Sequence, residues 1–68
     1  MRWTCEQVRT MREHVGMTKV DFAAAIGCTS TAVYMWEERN RRPSKIASKL
    51  LSDVFGRPLD QRRAEVAA

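Results

Sequence analysis

The sequence has few of the residues from which catalytic and metal sites are built. Its 68 residues include two cysteines and one histidine. A structural zinc site needs about four ligands, and neither Cys5 nor Cys28 has a second cysteine nearby. His14 has no evident nucleophile or carboxylate partner. The composition therefore predicts no enzyme, no metal or other cofactor, and no small-molecule ligand.

Long apolar segments are also missing. No run of about 18 apolar residues could cross a bilayer, and no apolar stretch resembles a secretion signal. The two thiols are expected to stay reduced, as they do in a cytoplasm. These absences predict a cytoplasmic protein with no membrane partner.

No segment alternates apolar and polar residues over the length of a strand with turn residues at both ends. A hydrophobic content of 44% and a charged content of 29% are typical of a folded domain. At this length we expect one small all-α domain of four to five helices. Residues 1–56 should form its body, and residues 57–68 a short tail, either a fifth helix or a dimer contact.

Positive charge is present and unevenly distributed. The net charge is +4, and the segment 39–52 holds five basic residues and no acidic one. Such a segment favours a polyanionic partner, although a solvated surface would have the same composition.

The first two predicted helices have clear start and stop signals. Thr4 and Gln7 have the spacing of a capping box, and Gly16 ends the first helix. Thr18 caps the second helix, which stops at Gly27. The expected core residues of the first helix are Val8, Met11 and Val15, and those of the second are Phe22, Ala23 and Ile26.

The third helix follows at once, because Thr29 can cap it only two residues after Gly27. Val33 and Trp36 are spaced to face the core. A different face holds Ser30, Tyr34 and Glu38, with Thr31 and Met35 alongside. Small hydroxyls and a tyrosine therefore point outward while the tryptophan anchors the helix.

The fourth helix is predicted to start at Pro43 and Ser44 and to stop at Gly56. Its apolar stripe comprises Ile46, Ala47, Leu50, Leu51 and Val54. Residues 59–68 form a polar segment in which a fifth helix is expected.

Two short helices joined through "GCT" have the helix-turn-helix arrangement, in which the second helix enters the DNA major groove. The ordered set "VRTMRE", "GMTKVDFAAAIG", "TSTAVYMWE" and "RRPS" resembles the phage-repressor helix-turn-helix family of the Cro and XRE type. The resemblance implies a lambda-repressor-like fold and a transcription regulator. It also implies a homodimer on a palindromic double-stranded DNA operator, most often a repressor of phage or mobile-element genes.

The resemblance also implies roles for individual residues. Lys19 occupies a position where relatives have a glutamine that contacts the DNA backbone, and Tyr34 lies at the groove edge. Three residues occupy base-reading positions: Ser30, Thr31 and Met35. Asn40 stands near the glycine of many relatives and should adopt a left-handed turn. The predicted DNA-binding residues are Thr18, Lys19, Thr29, Ser30, Thr31, Tyr34, Met35, Asn40, Arg41 and Arg42.

Two further interactions are expected. Arg12 and Glu37 flank the core stripes, and relatives often pair these positions, so we predict an ion pair between the first and third helices. Phe55 and Leu59, with Val54 nearby, are predicted to form the dimer contact, the alternative being that they fold back onto the core.

Two other functions fit the same residues. An antitoxin would bind DNA and also a protein toxin, usually through an extension longer than the tail here. A protein-interaction module without DNA binding is the second alternative. The basic loop and the hydroxyl-lined helix face argue against that module.

Overall fold

The computed structural model describes residues 2–61, and within this range it is all-α, as predicted. The four helices are α1 (Cys5–Val15), α2 (Lys19–Ile26), α3 (Ser30–Glu38) and α4 (Lys45–Phe55). Residues 59–61 are helical as well, and no strand occurs in the described range. The rest of the predicted fifth helix, 62–68, lies outside the described residues.

The predicted caps Thr4, Thr18 and Thr29 begin the helices to which they were assigned, and Ser44, predicted only as part of the start of α4, caps that helix. In the capping box, the backbone N–H of Thr4 donates to Gln7 Oε1 at 2.9 Å, and the N–H of Gln7 donates to Thr4 Oγ1 at 3.1 Å. The hydroxyl oxygens of the other three caps likewise accept a backbone N–H from the first turn of α2, α3 and α4. These three caps are Thr18, Thr29 and Ser44.

Left-handed glycines close α1 and α2. Gly16 has φ 71° and Gly27 has φ 75°, a conformation that costs glycine little because it lacks a Cβ. The next amide then turns back to the helix: Cys28 N–H donates to the Ala23 carbonyl at 2.9 Å. This closure fixes the short α2–α3 connection and hence the orientation of α3.

The core lies where α3 and α4 pack against α2 and where α1 packs against α3. Its buried hydrophobic residues are Trp3, Val8, Met11, Phe22, Ala23, Ile26, Val33, Trp36, Ala47 and Leu51. Trp3 is completely buried, and its backbone N–H donates to the buried Ser48 hydroxyl at 2.9 Å. The Trp3 indole Nε1–H donates to Ser52 Oγ at 3.0 Å. The segment before α1 is thus fastened to α4.

Three predicted core residues are instead exposed. Val15 is 37% exposed because it is the last residue of α1, where the chain turns away at Gly16. Ile46 is 76% exposed, and Val54 in the last turn of α4 is 49% exposed. At 3.6 residues per turn, Ile46 points about 140° away from Leu51, the fully buried centre of the α4 stripe.

The predicted dimer residues Phe55 and Leu59 are packed against the core. The Phe55 ring stacks on the Phe22 ring, with centroids 4.8 Å apart and planes inclined by 5°. Pro58 is fully buried beside them. Folding back onto the core, the stated alternative, is the arrangement observed, and the dimer contact at these residues stays a prediction.

Candidate nucleic-acid interface

The third helix, α3, has one buried face and one open face. Val33 is fully buried and Trp36 is 7% exposed, so both anchor the helix from behind. Ser30 and Thr31 in its first turn are exposed, and Tyr34 one turn later is 47% exposed. These three side chains therefore face solvent, as predicted.

The open face of α3 meets the start of α2. A shallow groove between them is lined by Lys19, Val20, Ser30, Thr31 and Tyr34. Four of these five residues were predicted DNA contacts from the sequence. Val20, which is 63% exposed, was not. The available signal was that Val20 lies off the stripe of α2 core residues yet is apolar.

Other predicted contacts lie outside this groove. Met35 is half-buried and lines a second groove between α3 and α4, together with Arg41 and Ile46. Asn40 lines a recess beside Arg9 on α1. The ten predicted residues therefore do not form one compact site.

The two threonine caps stand at the helix ends that border the first groove. Thr18 Oγ1 accepts the Asp21 N–H, and Thr29 Oγ1 accepts the Ala32 N–H, each at 3.1 Å. A hydroxyl that accepts one hydrogen bond can still donate its own proton. Each threonine can therefore cap its helix and also donate to an anion.

A buried ion pair holds the far end of α3. Arg12 Nε donates to Glu37 Oε2 at 2.7 Å, and Arg12 NH2 donates to Glu37 Oε1 at 3.0 Å. The Glu37 side chain is fully buried. Arg12 NH1 also donates to the Met17 carbonyl at 2.9 Å, which ties the α1–α2 turn into the pair. The predicted Arg12–Glu37 pair is confirmed.

The hydrogen bonds that the Arg12 guanidinium donates to Glu37 raise the pKa of Arg12 above its ordinary value. Burial acts in the opposite direction but has the smaller effect on this pKa. Arg12 is accordingly charged at every physiological pH, and the bidentate geometry fixes the direction in which α3 leaves the core.

The last residue of α3 is shared by two cations. Glu38 Oε1 lies 3.6 Å from Lys19 Nζ at the start of α2 and 3.6 Å from Arg9 NH2 on α1. Arg9 NH2 also donates to the Glu37 backbone carbonyl at 2.8 Å. Positive groups therefore surround the negative end of the α3 dipole.

Comparison with protein families gives one match. A family model described as helix-turn-helix, of the Cro/C1 type, matches residues 8–61. The chain belongs to the Cro/C1-type helix-turn-helix family. In this family α2 and α3 form the helix-turn-helix unit, and the chain is accordingly a DNA-binding transcription regulator of the XRE type. Comparisons with curated proteins and with solved structures found no match.

The loop after the helix-turn-helix unit has a defined path. Asn40 has φ 56°, as predicted for the residue near the glycine of many relatives. The Arg41 N–H then donates to the Met35 carbonyl at 3.1 Å, which folds the loop back onto the end of α3.

The two loop arginines of the helix-turn-helix domain differ in their surroundings. Arg42 Nε donates to the Trp3 carbonyl at 3.2 Å and Arg42 NH2 to the Arg2 carbonyl at 3.1 Å. Arg2 Nε in turn donates to the Pro43 carbonyl at 3.0 Å. Within residues 2–61 no hydrogen bond or ion pair engages the exposed Arg41 guanidinium.

No described helix has the length and apolarity needed to cross a bilayer. Among residues 2–61, no group of three or more acidic, cysteine or histidine side chains is arranged to hold a metal ion.

Proposed function

We propose that this helix-turn-helix protein represses phage or mobile-element genes by binding a palindromic operator as a homodimer. The observation that carries the proposal is the groove at the start of α3, where exposed hydroxyls adjoin the Lys19 ammonium. A helix presenting small side chains can lie close to base edges in the major groove, while the ammonium reaches a phosphate.

The groove favours a particular kind of reading. Ser30 and Thr31 can each donate to or accept from a base edge, and Val20 offers an apolar contact for a thymine methyl group. Tyr34 stands one turn along α3 and can reach either a methyl group or a phosphate. Hydroxyls discriminate bases less sharply than a bidentate arginine, so DNA shape should supply part of the specificity.

Selection of duplexes from a random pool would test this function. We expect enrichment of a two-fold symmetric sequence whose half-sites lie about 34–36 Å apart. Selection with a Trp36→Tyr control, which changes the anchor without changing the surface, should recover the same sequence if the protein remains folded. A pool that shows no enriched sequence would contradict the proposal of a specific operator.

The dimer requires an exposed apolar surface near α3. Ile46, the most exposed large apolar residue of the described range, lies on α4 in the groove that Met35 also lines. A second copy packed there would place two α3 helices side by side along one face of the DNA. We propose the Ile46 surface as the contact, and the α4 end at Val54 as the alternative.

Sedimentation of two matched variants would decide between these surfaces. Ile46→Asp should give a folded monomer with weakened operator binding, whereas Val54→Asp should leave the dimer unchanged. The opposite pattern would move the interface to the end of α4. A wild-type protein that is monomeric both free and on DNA would contradict the dimer.

Repression itself needs a separate test. A promoter carrying the selected operator should drive a reporter less strongly when the protein is expressed in the same cell. An increase in reporter output would show an activator.

A further inference from the structure

We propose that Glu38 withholds the Lys19 ammonium from DNA, so that a phosphate has to displace this carboxylate before Lys19 contributes to binding. The inference rests on the proposed DNA-binding function. It assigns a role to an acidic residue that stands beside a surface otherwise suited to anions.

The position of Glu38 is the first reason. It lies one turn after Tyr34 on the same face of α3, at the edge of the groove that Lys19 lines. The Glu38 side chain is 42% exposed and the Lys19 side chain is 32% exposed, so both side chains are partly open to solvent. A phosphate that approaches Lys19 therefore meets Glu38 as well.

The second reason is that Glu38 has another cation available. The same oxygen, Oε1, lies 3.6 Å from Lys19 Nζ and 3.6 Å from Arg9 NH2. Arg9 is fixed independently, because its NH2 donates to the Glu37 carbonyl and its Nε lies 3.5 Å from Glu37 Oε1. When a phosphate takes Lys19, the carboxylate can remain beside Arg9 rather than stand unpaired.

The two cations therefore differ in function. Arg9 donates to the backbone of α3 and can keep this contact when DNA binds. Lys19, in contrast, has only the Glu38 ion pair within the described range. A lysine ammonium is a point charge on a flexible stem and can change partners without a fixed geometry. Glu38 thus lowers the affinity for every duplex, because it competes with the DNA phosphates for the Lys19 ammonium.

The test is a salt titration of full-length variants on the selected operator and on a scrambled duplex, read by fluorescence anisotropy. Glu38→Gln should tighten binding to both duplexes about two- to fivefold at low salt, the size expected for a partly exposed ion pair. The slope of log affinity against log salt should steepen by a fraction of about 0.9, the value of one complete phosphate contact, and that fraction measures how often Glu38 still holds Lys19 in the wild-type complex.

Two further variants make the result specific. In a Lys19→Met background, Glu38→Gln should have no effect, because the cation through which it acts is gone. Asp53→Asn, which makes the same charge change on the exposed side of α4, should leave the slope unchanged. Melting curves should show that Glu38→Gln unfolds within a few degrees of the wild type.

Three outcomes would overturn the inference. Equal tightening with and without Lys19 would mean that Glu38 repels DNA directly. Equal tightening by Asp53→Asn would mean a net-charge effect. Weaker binding by Glu38→Gln would mean that the carboxylate holds Lys19 in its DNA-binding position. A wild-type protein that binds no duplex would instead reject the proposed function, and this inference with it.

Discussion

The two halves of α3 are built in opposite ways. In the first half, Ser30, Thr31 and Tyr34 are exposed, and their side chains make no hydrogen bond within the described range. In the second half, Trp36 and Glu37 are buried, and Arg12 donates two hydrogen bonds to Glu37 and a third to the Met17 carbonyl. A helix that is anchored by Val33 and immobilised in its second half by the Arg12–Glu37 pair can present the exposed side chains of its first half to a ligand without changing its own direction.

The immobilised half should carry the largest effect. Glu37→Gln leaves the Arg12 guanidinium without its buried counter-charge, and we expect a loss of about 3–5 kcal/mol in the free energy of unfolding. Thermal unfolding would measure it, since each kcal/mol moves the melting temperature by about 4–8 °C in a domain of this size. The matched control is Glu6→Gln on the exposed first turn of α1, for which we expect less than about 1 kcal/mol. A Glu37→Gln protein that melts within a degree or two of wild type would show that the pair does not hold α3.

A second immobilised region lies at the start of the chain. Ser48→Ala leaves the buried Trp3 N–H without an acceptor, which should cost about 1–3 kcal/mol. Ser52→Ala removes the acceptor of the indole N–H near the surface, where water can replace it, so the loss should be smaller. Urea unfolding of the two variants gives the comparison, and equal losses would show that burial of the acceptor does not set the cost.

Variants of Arg41 and Arg42 test whether the DNA-binding surface extends beyond α3 into the following loop. Arg41→Ala should reduce the salt slope by about 0.9 on operator and random DNA alike, because its guanidinium is free for a phosphate. Arg42→Ala should instead lower stability, since this side chain holds the Arg2 and Trp3 carbonyls. Salt titrations and melting curves on both variants separate these roles. If Arg42→Ala reduced the slope with unchanged stability, its remaining N–H groups would be the phosphate contacts.

The open half of α3 should show the smallest effect, and only on the preferred site. Thr31→Ala should weaken operator binding by about 0.5–1.5 kcal/mol, the net value of one hydrogen bond, and leave random DNA unaffected. Competition between operator and scrambled duplexes would measure this difference. Equal weakening of both would assign Thr31 to the DNA backbone rather than to the bases.

Much of this contrast could be predicted from local sequence. Caps and left-handed closures depend on residues a few positions apart, so Thr4, Thr18, Thr29 and Ser44 could be assigned before any tertiary contact was known. The left-handed Asn40 was predicted from the glycine that many relatives have nearby, together with the tolerance of asparagine for positive φ. Family resemblance supplied the partner of Arg12, which local patterns could not have given.

The errors have a common physical cause. Helical periodicity gives the direction of a side chain relative to its helix, but not which directions a neighbouring helix covers. Ile46 was therefore placed in the core, whereas the polar Ser48, on the covered side of α4, was not. The stacking of the Phe55 ring on Phe22 was not predicted either, because nothing local indicates a contact with a residue 33 positions earlier in the chain.

The site was predicted less completely than the fold, because ion pairs between helices depend on how three elements meet. Lys19, Glu38 and Arg9 belong to three different helices, and no spacing along the chain indicates that they share one oxygen. Val20 was overlooked although its position off the stripe of α2 core residues was a local signal of exposure.

The Trp3–Ser48 hydrogen bond has a consequence for the order of folding. It joins residues 45 positions apart, whereas the helix-turn-helix unit forms from close neighbours in the chain. Closing so large a loop costs chain entropy that only the assembled core can offset. The Trp3–Ser48 hydrogen bond should therefore form after the folding barrier is crossed. Removal of this hydrogen bond should then increase the unfolding rate while hardly changing the folding rate. In that order of folding, α3 is already packed when the segment before α1 binds to α4.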